Sequence, residues 1–112
     1  MVSWNNLDTL SSYKELADVK PACLTEVMSG DNGAERVKNY SIPMAAGLSY
    51  NYASKQVDEN VLAALEKLAD EAQLADKFKA LYNGEVVNTG EKRLVLHHMT
   101  RGQLGDAVEA DG

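Results

Sequence analysis

From Tyr82 to Gly102 the sequence reads YNGEVVNTGEKRLVLHHMTRG, and the folding of its second half decides what the chain is. Asn88 is followed three residues later by Glu91, the spacing of a capping box. In that motif the first side chain satisfies one free backbone N–H and the glutamate reaches back to another. Leu94, Val95, Leu96 and Met99 follow as apolar positions, and Gly102 supplies a stop. The pattern predicts a largely buried helix over 88–102.

His97 and His98 lie inside that stretch. Adjacent helical positions point about 100° apart, so the pair does not converge on one ion. Chelation from a single helix needs a spacing of three or four, as in His-Glu-x-x-His. There is no third histidine, and the one cysteine, Cys23, is far away in sequence. No metal site is expected. A nucleophilic pairing of Cys23 with a histidine would require the fold to join them, and nothing in the spacing asks for it. The structural reading is preferred: one histidine packs on a neighbour while donating a hydrogen bond, and the other sits near the boundary.

Working back toward the N-terminus, the helical pattern strengthens. Asp58 is a good N-cap, with Val57 before it placed to staple against Leu62. Val61, Leu62, Leu65, Leu68, Ala69 and Ala72 form one apolar stripe, with Glu59, Glu66, Lys67, Asp70 and Glu71 largely opposite. Leu74, Phe78, Leu81 and Tyr82 repeat the spacing for a further helix, which Gly84 terminates as a left-handed cap. Before these, Tyr40, Ile42 and Met44 alternate with Ser41 and Pro43, and Leu48, Tyr50 and Tyr52 alternate with Ser49 and Asn51. With Gly47 between the runs, this reads as a short antiparallel hairpin whose first strand Pro43 confines to an edge. Ser29 to Ala34, SGDNGA, reads as a turn. Pro21 suits a first helical position ahead of Cys23, Leu24, Val27 and Met28. Leu7, Leu10, Tyr13, Leu16 and Ala17 fall on one face of a short helix. The fold class is mostly α (α+β): several short helices with one small antiparallel β-hairpin.

The bulk properties narrow the function. At 112 residues the chain holds one modest core. The net charge of −6 argues against nucleic acid as a partner, because neutralising phosphates needs a basic surface, and equally against an anionic membrane. A single cysteine excludes an internal disulfide and fits a reducing compartment, the cytoplasm. The opening MVSWNNLDTL lacks the basic and apolar regions of a signal peptide, and no apolar run reaches the length that spans a bilayer. Weaker candidates fail on chemistry. Gly30 to Gly33, GDNG, lacks the Gly-Lys-Ser/Thr of a phosphate loop. The carboxylates of the Asp58 helix read as a solvated face. Tyr50 and Tyr52 read as packing beneath a helix.

The stretch from Tyr82 resembles the glucose-6-phosphate isomerase (phosphoglucose isomerase) family. That family carries Gly-Glu, then Asn-x-(Thr)-Glu-x-Arg, then Val-Leu-His, here Gly84-Glu85, Asn88, Glu91, Arg93 and Val95-Leu96-His97. Upstream, SYNYASKQVDENVLAALEKLADEAQLADKFKALYNGE is similar to the family's strand, Tyr-Ser-Lys-type corner and two helices. Leu94 and the His98-Met99-Thr100 run depart from the commoner family pattern and read as subgroup variation. Family members are several times longer.

The resemblance implies that residues 1–112 are a single N-terminal segment of a larger α/β sugar-isomerase enzyme, without its catalytic domains. Such an enzyme interconverts glucose 6-phosphate and fructose 6-phosphate in glycolysis and gluconeogenesis, in the cytoplasm and as a homodimer, without a cofactor. A glutamate moves the proton between C1 and C2 through an enediol, with histidine, lysine and arginine assisting. The motifs that carry those groups have no counterpart here, so the resemblance assigns no catalytic, substrate-binding or metal-binding role to Lys55, Glu91, His97 or Arg101. The segment alone is expected to be inactive, and to self-associate or expose the apolar faces that meet the rest of the enzyme. The alternative is a free-standing acidic helical interaction module derived from the family, which a stop codon directly after Gly112 would favour.

Overall fold

The computed structural model describes residues 1–101. The expected helix stop at Gly102 and the polar end from Glu109 to Gly112 lie outside the described residues. The element order is α1 (Ser11–Asp18), α2 (Leu24–Ser29), α3 (Gly33–Asn39), β1 (Ser41–Pro43), β2 (Ser49–Asn51), α4 (Glu59–Glu71) and α5 (Leu74–Tyr82), with 3-10 turns at Leu7–Thr9, Ala45–Gly47 and His97–Arg101. Among the described residues no helix is long and apolar enough to cross a membrane. The chain divides into two compact units. One combines Met1–Lys14 with the described residues from Glu66 onward, and the other is Glu15–Leu65.

In the Glu15–Leu65 unit the hairpin forms in the expected register. Ser41 pairs with Asn51, Ile42 with Tyr50 and Pro43 with Ser49, antiparallel. The missing N–H of Pro43 costs nothing on an edge of a two-stranded ribbon. The connection turns through Ala46 at φ 58° and Gly47 at φ 72°, with Met44 N–H bonded to the Leu48 carbonyl at 2.8 Å. Tyr52 N–H bonds the Tyr40 carbonyl at 2.9 Å, which carries the ladder one step beyond the strands. Asp58 caps α4 as its position predicts, its Oδ1 accepting the Val61 N–H at 2.9 Å. A cap of this kind contributes about 1 kcal/mol.

Three N-terminal expectations shift. The Leu7–Ala17 face is interrupted: a 3-10 turn ends at Leu10, whose extended backbone (φ −81°, ψ 144°) separates it from α1. Pro21 is not the first helical residue. Cys23 is extended at φ −79°, ψ 106°, and α2 begins after it at Leu24. The SGDNGA turn is real but shorter than read, because Gly33 already opens α3. That helix was not anticipated.

In the other unit α5 ends as Gly84 predicts. Gly84 stands at φ 78°, its N–H bonding the Leu81 carbonyl at 3.2 Å while the Glu85 N–H bonds the Ala80 carbonyl at 3.0 Å. These two bonds are the Schellman pair, and they satisfy carbonyls the helix leaves open.

The predicted helix over 88–102 does not form. Asn88 and Arg93 exchange backbone hydrogen bonds at 3.1 Å in both directions, closing a tight antiparallel turn. Half of the predicted capping box is made: Asn88 Oδ1 accepts the Glu91 N–H at 3.2 Å, but Glu91 Oε2 accepts from the Asn88 side-chain Nδ2 at 3.2 Å, while the Asn88 backbone N–H goes to the Arg93 carbonyl. Lys92 then takes a left-handed φ of 54°, which reverses the chain instead of propagating a helix. Only His97–Arg101 winds further, as a 3-10 turn.

Apolar burial among the described residues is confined to small side chains. Among the described residues the buried apolar ones are Ala22, Ala53, Ala72 and Ala80. Of the α4 stripe, Ala72 is buried, Leu65 is exposed and the other four are half-buried. Leu74 and Phe78, read from sequence as apolar positions at helical spacing, are 59% and 65% exposed.

Candidate functional site

The densest polar constellation of the Glu15–Leu65 unit grows from α3. A helix starting at Gly33 carries Arg36 one turn inward, where it is among the few buried polar residues. Its Nε donates to the Ala53 carbonyl at 2.9 Å, and its Nη2 donates to the carbonyls of Lys55 at 3.0 Å and Val57 at 2.7 Å. One guanidinium therefore gathers three successive alternate carbonyls of the loop between β2 and α4. The same group lies 4.1 Å from the centre of the Tyr40 ring, a cation–π distance. Tyr40 stacks on Tyr52 at 4.9 Å between centroids, and its hydroxyl donates to the Glu59 carboxylate, 2.9 Å from each oxygen. Desolvation first, and the facing Glu59 carboxylate second, push the Tyr40 hydroxyl above its usual pKa, against the pull of Arg36.

A recess of about 550 Å³ adjoins this cluster, with Glu26, Glu35, Asp58 and Glu59 on its walls. Three of its polar groups have work within the fold: Asp58 caps α4, Glu59 accepts from Tyr40, and Arg36 donates to three carbonyls. The arrangement braces a loop.

The second constellation joins α1 to the end of α4. Glu71 Oε2 accepts the Ser12 N–H at 2.8 Å, and Oε1 accepts the Ser11 N–H at 3.3 Å and the Ser11 hydroxyl at 3.0 Å. A carboxylate thus satisfies the first free amides of α1, where the helix dipole also favours negative charge. The neighbouring Ser12 side chain and amide, and then the Ser11 groups, hold the Glu71 pKa down from 4.5 to about 2. A depressed carboxylate stabilises the fold above its unfolded pKa, and the contribution is lost as pH falls through the folded one. We therefore expect Glu71→Gln to lower the melting temperature at neutral pH, with the gap to the parent chain closing between pH 4.5 and about 2. Thermal melts across that range check it; a gap that persists at the acid end would contradict the capping role.

The residues weighed from sequence are dispersed. His98 stacks on Tyr82 at 4.5 Å between centroids, so one histidine does pack on a neighbour, but its Nε2 is buried with no hydrogen-bond partner among the described residues. His97 is exposed, and its carbonyl accepts the Thr100 hydroxyl at 2.8 Å. Glu91 is held by the Asn88 turn and lies 3.6 Å from Arg93 in an exposed ion pair. Lys55 contributes its carbonyl to Arg36, Arg101 is exposed at the end of its turn, and Cys23 is an exposed thiol. Among the described residues no group of three or more His, Cys, Asp or Glu side chains is placed to hold a metal ion. Tyr50 is exposed on its strand, while Tyr52 is half-buried between the other two tyrosine rings. Arg36 and Glu71, the two best-connected side chains, were not singled out by sequence.

A family model for phosphoglucose isomerase matches residues 51–112, more than half of the chain. The chain belongs to the phosphoglucose isomerase family. Glucose-6-phosphate isomerase from Treponema denticola is 42% identical over 116 aligned positions, which take in 99% of this chain and 22% of that protein. The Treponema pallidum (strain Nichols) enzyme is 47% identical over 100 residues, covering 89% of this chain and 19% of its own length. That of Borreliella afzelii is 44% identical over 112 residues, 99% of this chain and 20% of the relative. The chain spans about a fifth of the length of the curated phosphoglucose isomerase relatives it matches. Both braced constellations, the Arg36 loop and the Glu71 cap, lie within the aligned length of the Treponema denticola relative, which takes in 99% of the chain.

Proposed function

We propose that these 112 residues form the N-terminal scaffold of a glucose-6-phosphate isomerase, a cytoplasmic homodimer that interconverts glucose 6-phosphate and fructose 6-phosphate. The segment carries none of the reacting groups. Lys55, Glu91, His97 and Arg101 hold structural positions, and the sugar phosphate binds on downstream sugar-isomerase domains. The observation that carries this reading is the mismatch between pattern and burial. The sequence has strong apolar stripes, yet the buried apolar side chains among the described residues are alanines, while Ile42, Met44, Leu48, Leu74 and Phe78 are all more than half exposed. A chain that keeps its large apolar groups outside is shaped to be covered by more protein.

The test is a coupled assay of hexose-phosphate interconversion. The isolated chain is expected to show no turnover, and the same residues joined to the remaining four-fifths of the Treponema denticola enzyme, in place of the part they match, are expected to restore it. Turnover by the isolated chain would relocate the active site to this segment. A folded but inactive fusion would sink the assignment.

A further inference from the structure

Helix α5 is apolar on two adjoining sides, and its own unit covers only one. On the covered side Ala80 is 2% exposed and the Lys77 ammonium faces the Trp4 ring at 5.7 Å. On the other, Leu74 and Phe78 stand four residues apart, hence one above the other, and project outward. With Ala69 and Ala75 they line an apolar recess of about 550 Å³ whose rim carries Asp70 and Lys79. An apolar centre within a charged rim is the layout of a docking surface. A helix apolar on two sides belongs between two layers.

Two occupants are available to such a face: a second copy of the chain, or another part of the same polypeptide. The patch is too small for the first. A stable dimer buries on the order of 800 Å² on each partner, and two large side chains on a helix about 14 Å long do not supply that. A segment tethered to the same chain needs far less area, because its effective concentration is high. The relatives provide such a chain, since some four-fifths of their length lies outside the match.

We propose that the Leu74–Phe78 face of α5 is the seat of an apolar segment from the downstream sugar-isomerase part of the polypeptide. This rests on the scaffold reading above. The occupant brings aliphatic or aromatic side chains to Leu74 and Phe78 across an interface with no buried charge.

Phe78 is the one phenylalanine of the 112 residues, so its oxidation by hydroxyl radicals is followed on the proteolytic peptide that contains it. Its rate is compared in the 112-residue chain at low and high concentration and in the fusion to the Treponema denticola remainder. The expected result is several-fold slower oxidation in the fusion, and no concentration dependence in the chain alone. Phe78→Asp should then lower the melting temperature of the fusion by more than that of the separate chain, where it loses only the contact with the Tyr82 ring. Equal oxidation rates in fusion and separate chain would overturn the proposal. Protection that grows with concentration of the separate chain would also overturn it, by making a second copy the occupant. Turnover is scored separately. An inactive fusion with Phe78 protected removes the isomerase reading and keeps the seat; an active fusion with Phe78 unprotected does the reverse.

Discussion

Arg36→Ala is expected to destabilise the Glu15–Leu65 unit by about 3 kcal/mol, the largest effect of any single side-chain truncation there. The guanidinium donates to three carbonyls, those of Ala53, Lys55 and Val57, and covers the Tyr40 ring. A hydrogen bond to a charged donor is worth about 1.5–3 kcal/mol net, but bonds from one group are not additive, and two of these three are only partly buried. The total is set accordingly, and against a typical stability of about 5–15 kcal/mol it is a large fraction. Arg36→Lys separates the contributions. Lysine keeps the charge but loses the planar fork, so it reaches one carbonyl well and should recover less than half the loss. Arg36→Met keeps most of the volume and none of the donors, and should behave like the alanine variant. Urea unfolding of the three variants provides the check. A lysine variant as stable as the parent would mean that charge over Tyr40, and not the gathering of the loop, is what Arg36 supplies.

What could be read from sequence was local. The hairpin was legible because alternation of Tyr40, Ile42 and Met44 against Leu48, Tyr50 and Tyr52 is a period-two signal with a glycine at its centre. The start of α4 was legible because Asp58 and the Val61 amide are three residues apart, and the end of α5 because Gly84 can take a positive φ that other residues resist. The stretch from Asn88 failed for an instructive reason. The Asn88 side-chain bond to the Glu91 N–H forms as predicted, but that bond closes a turn as readily as it opens a helix, and the choice falls to Lys92, whose left-handed backbone has no signature in residue type. Arg36 and Glu71 were hidden because their partners are remote: Ala53 and Val57 lie 17 and 21 residues from Arg36, and Ser12 lies 59 from Glu71. A charged residue read by helical spacing alone is assigned to a solvated face. The candidate site was therefore scarcely legible. The apolar stripes were legible as stripes, yet periodicity reports which side of a helix is apolar and not whether anything in the same chain covers it, so the spacing of Leu74 and Phe78 did not reveal their exposure.

Gly33→Ala presents two opposed effects whose magnitudes decide the sign. In a helix, alanine is favoured over glycine by up to about 1 kcal/mol through the entropy of the unfolded chain. At position 33, however, a Cβ would lie 2.3 Å from the Met28 carbonyl oxygen, 2.9 Å from its carbon and 3.4 Å from its Cα. These are backbone atoms of α2, which cannot rotate aside as a side-chain tip would. The elbow between the helices is short, closed by the Gly33 N–H on the Gly30 carbonyl at 3.0 Å, so relief requires α2 and α3 to move apart. Overpacking against a fixed wall costs about 1–3 kcal/mol or more, and this approach is severe enough to place the net loss at about 2 kcal/mol. Two neighbouring glycines serve as controls. Gly30→Ala meets its nearest atom, the Glu26 carbonyl oxygen, only at 4.0 Å, and should be neutral or slightly stabilising. Gly47→Ala meets nothing within 4 Å but holds a φ of +72°, so it should lose about 1 kcal/mol from backbone strain alone. Parallel denaturation of the three variants is expected to rank Gly33 well below Gly47 and Gly30. Because Arg36 sits one turn along α3 from Gly33, forcing the helices apart also pulls the guanidinium from its carbonyls. The double variant Gly33→Ala with Arg36→Ala should then lose less than the sum of the single losses, whereas strict additivity would show that the elbow and the Arg36 loop are independent.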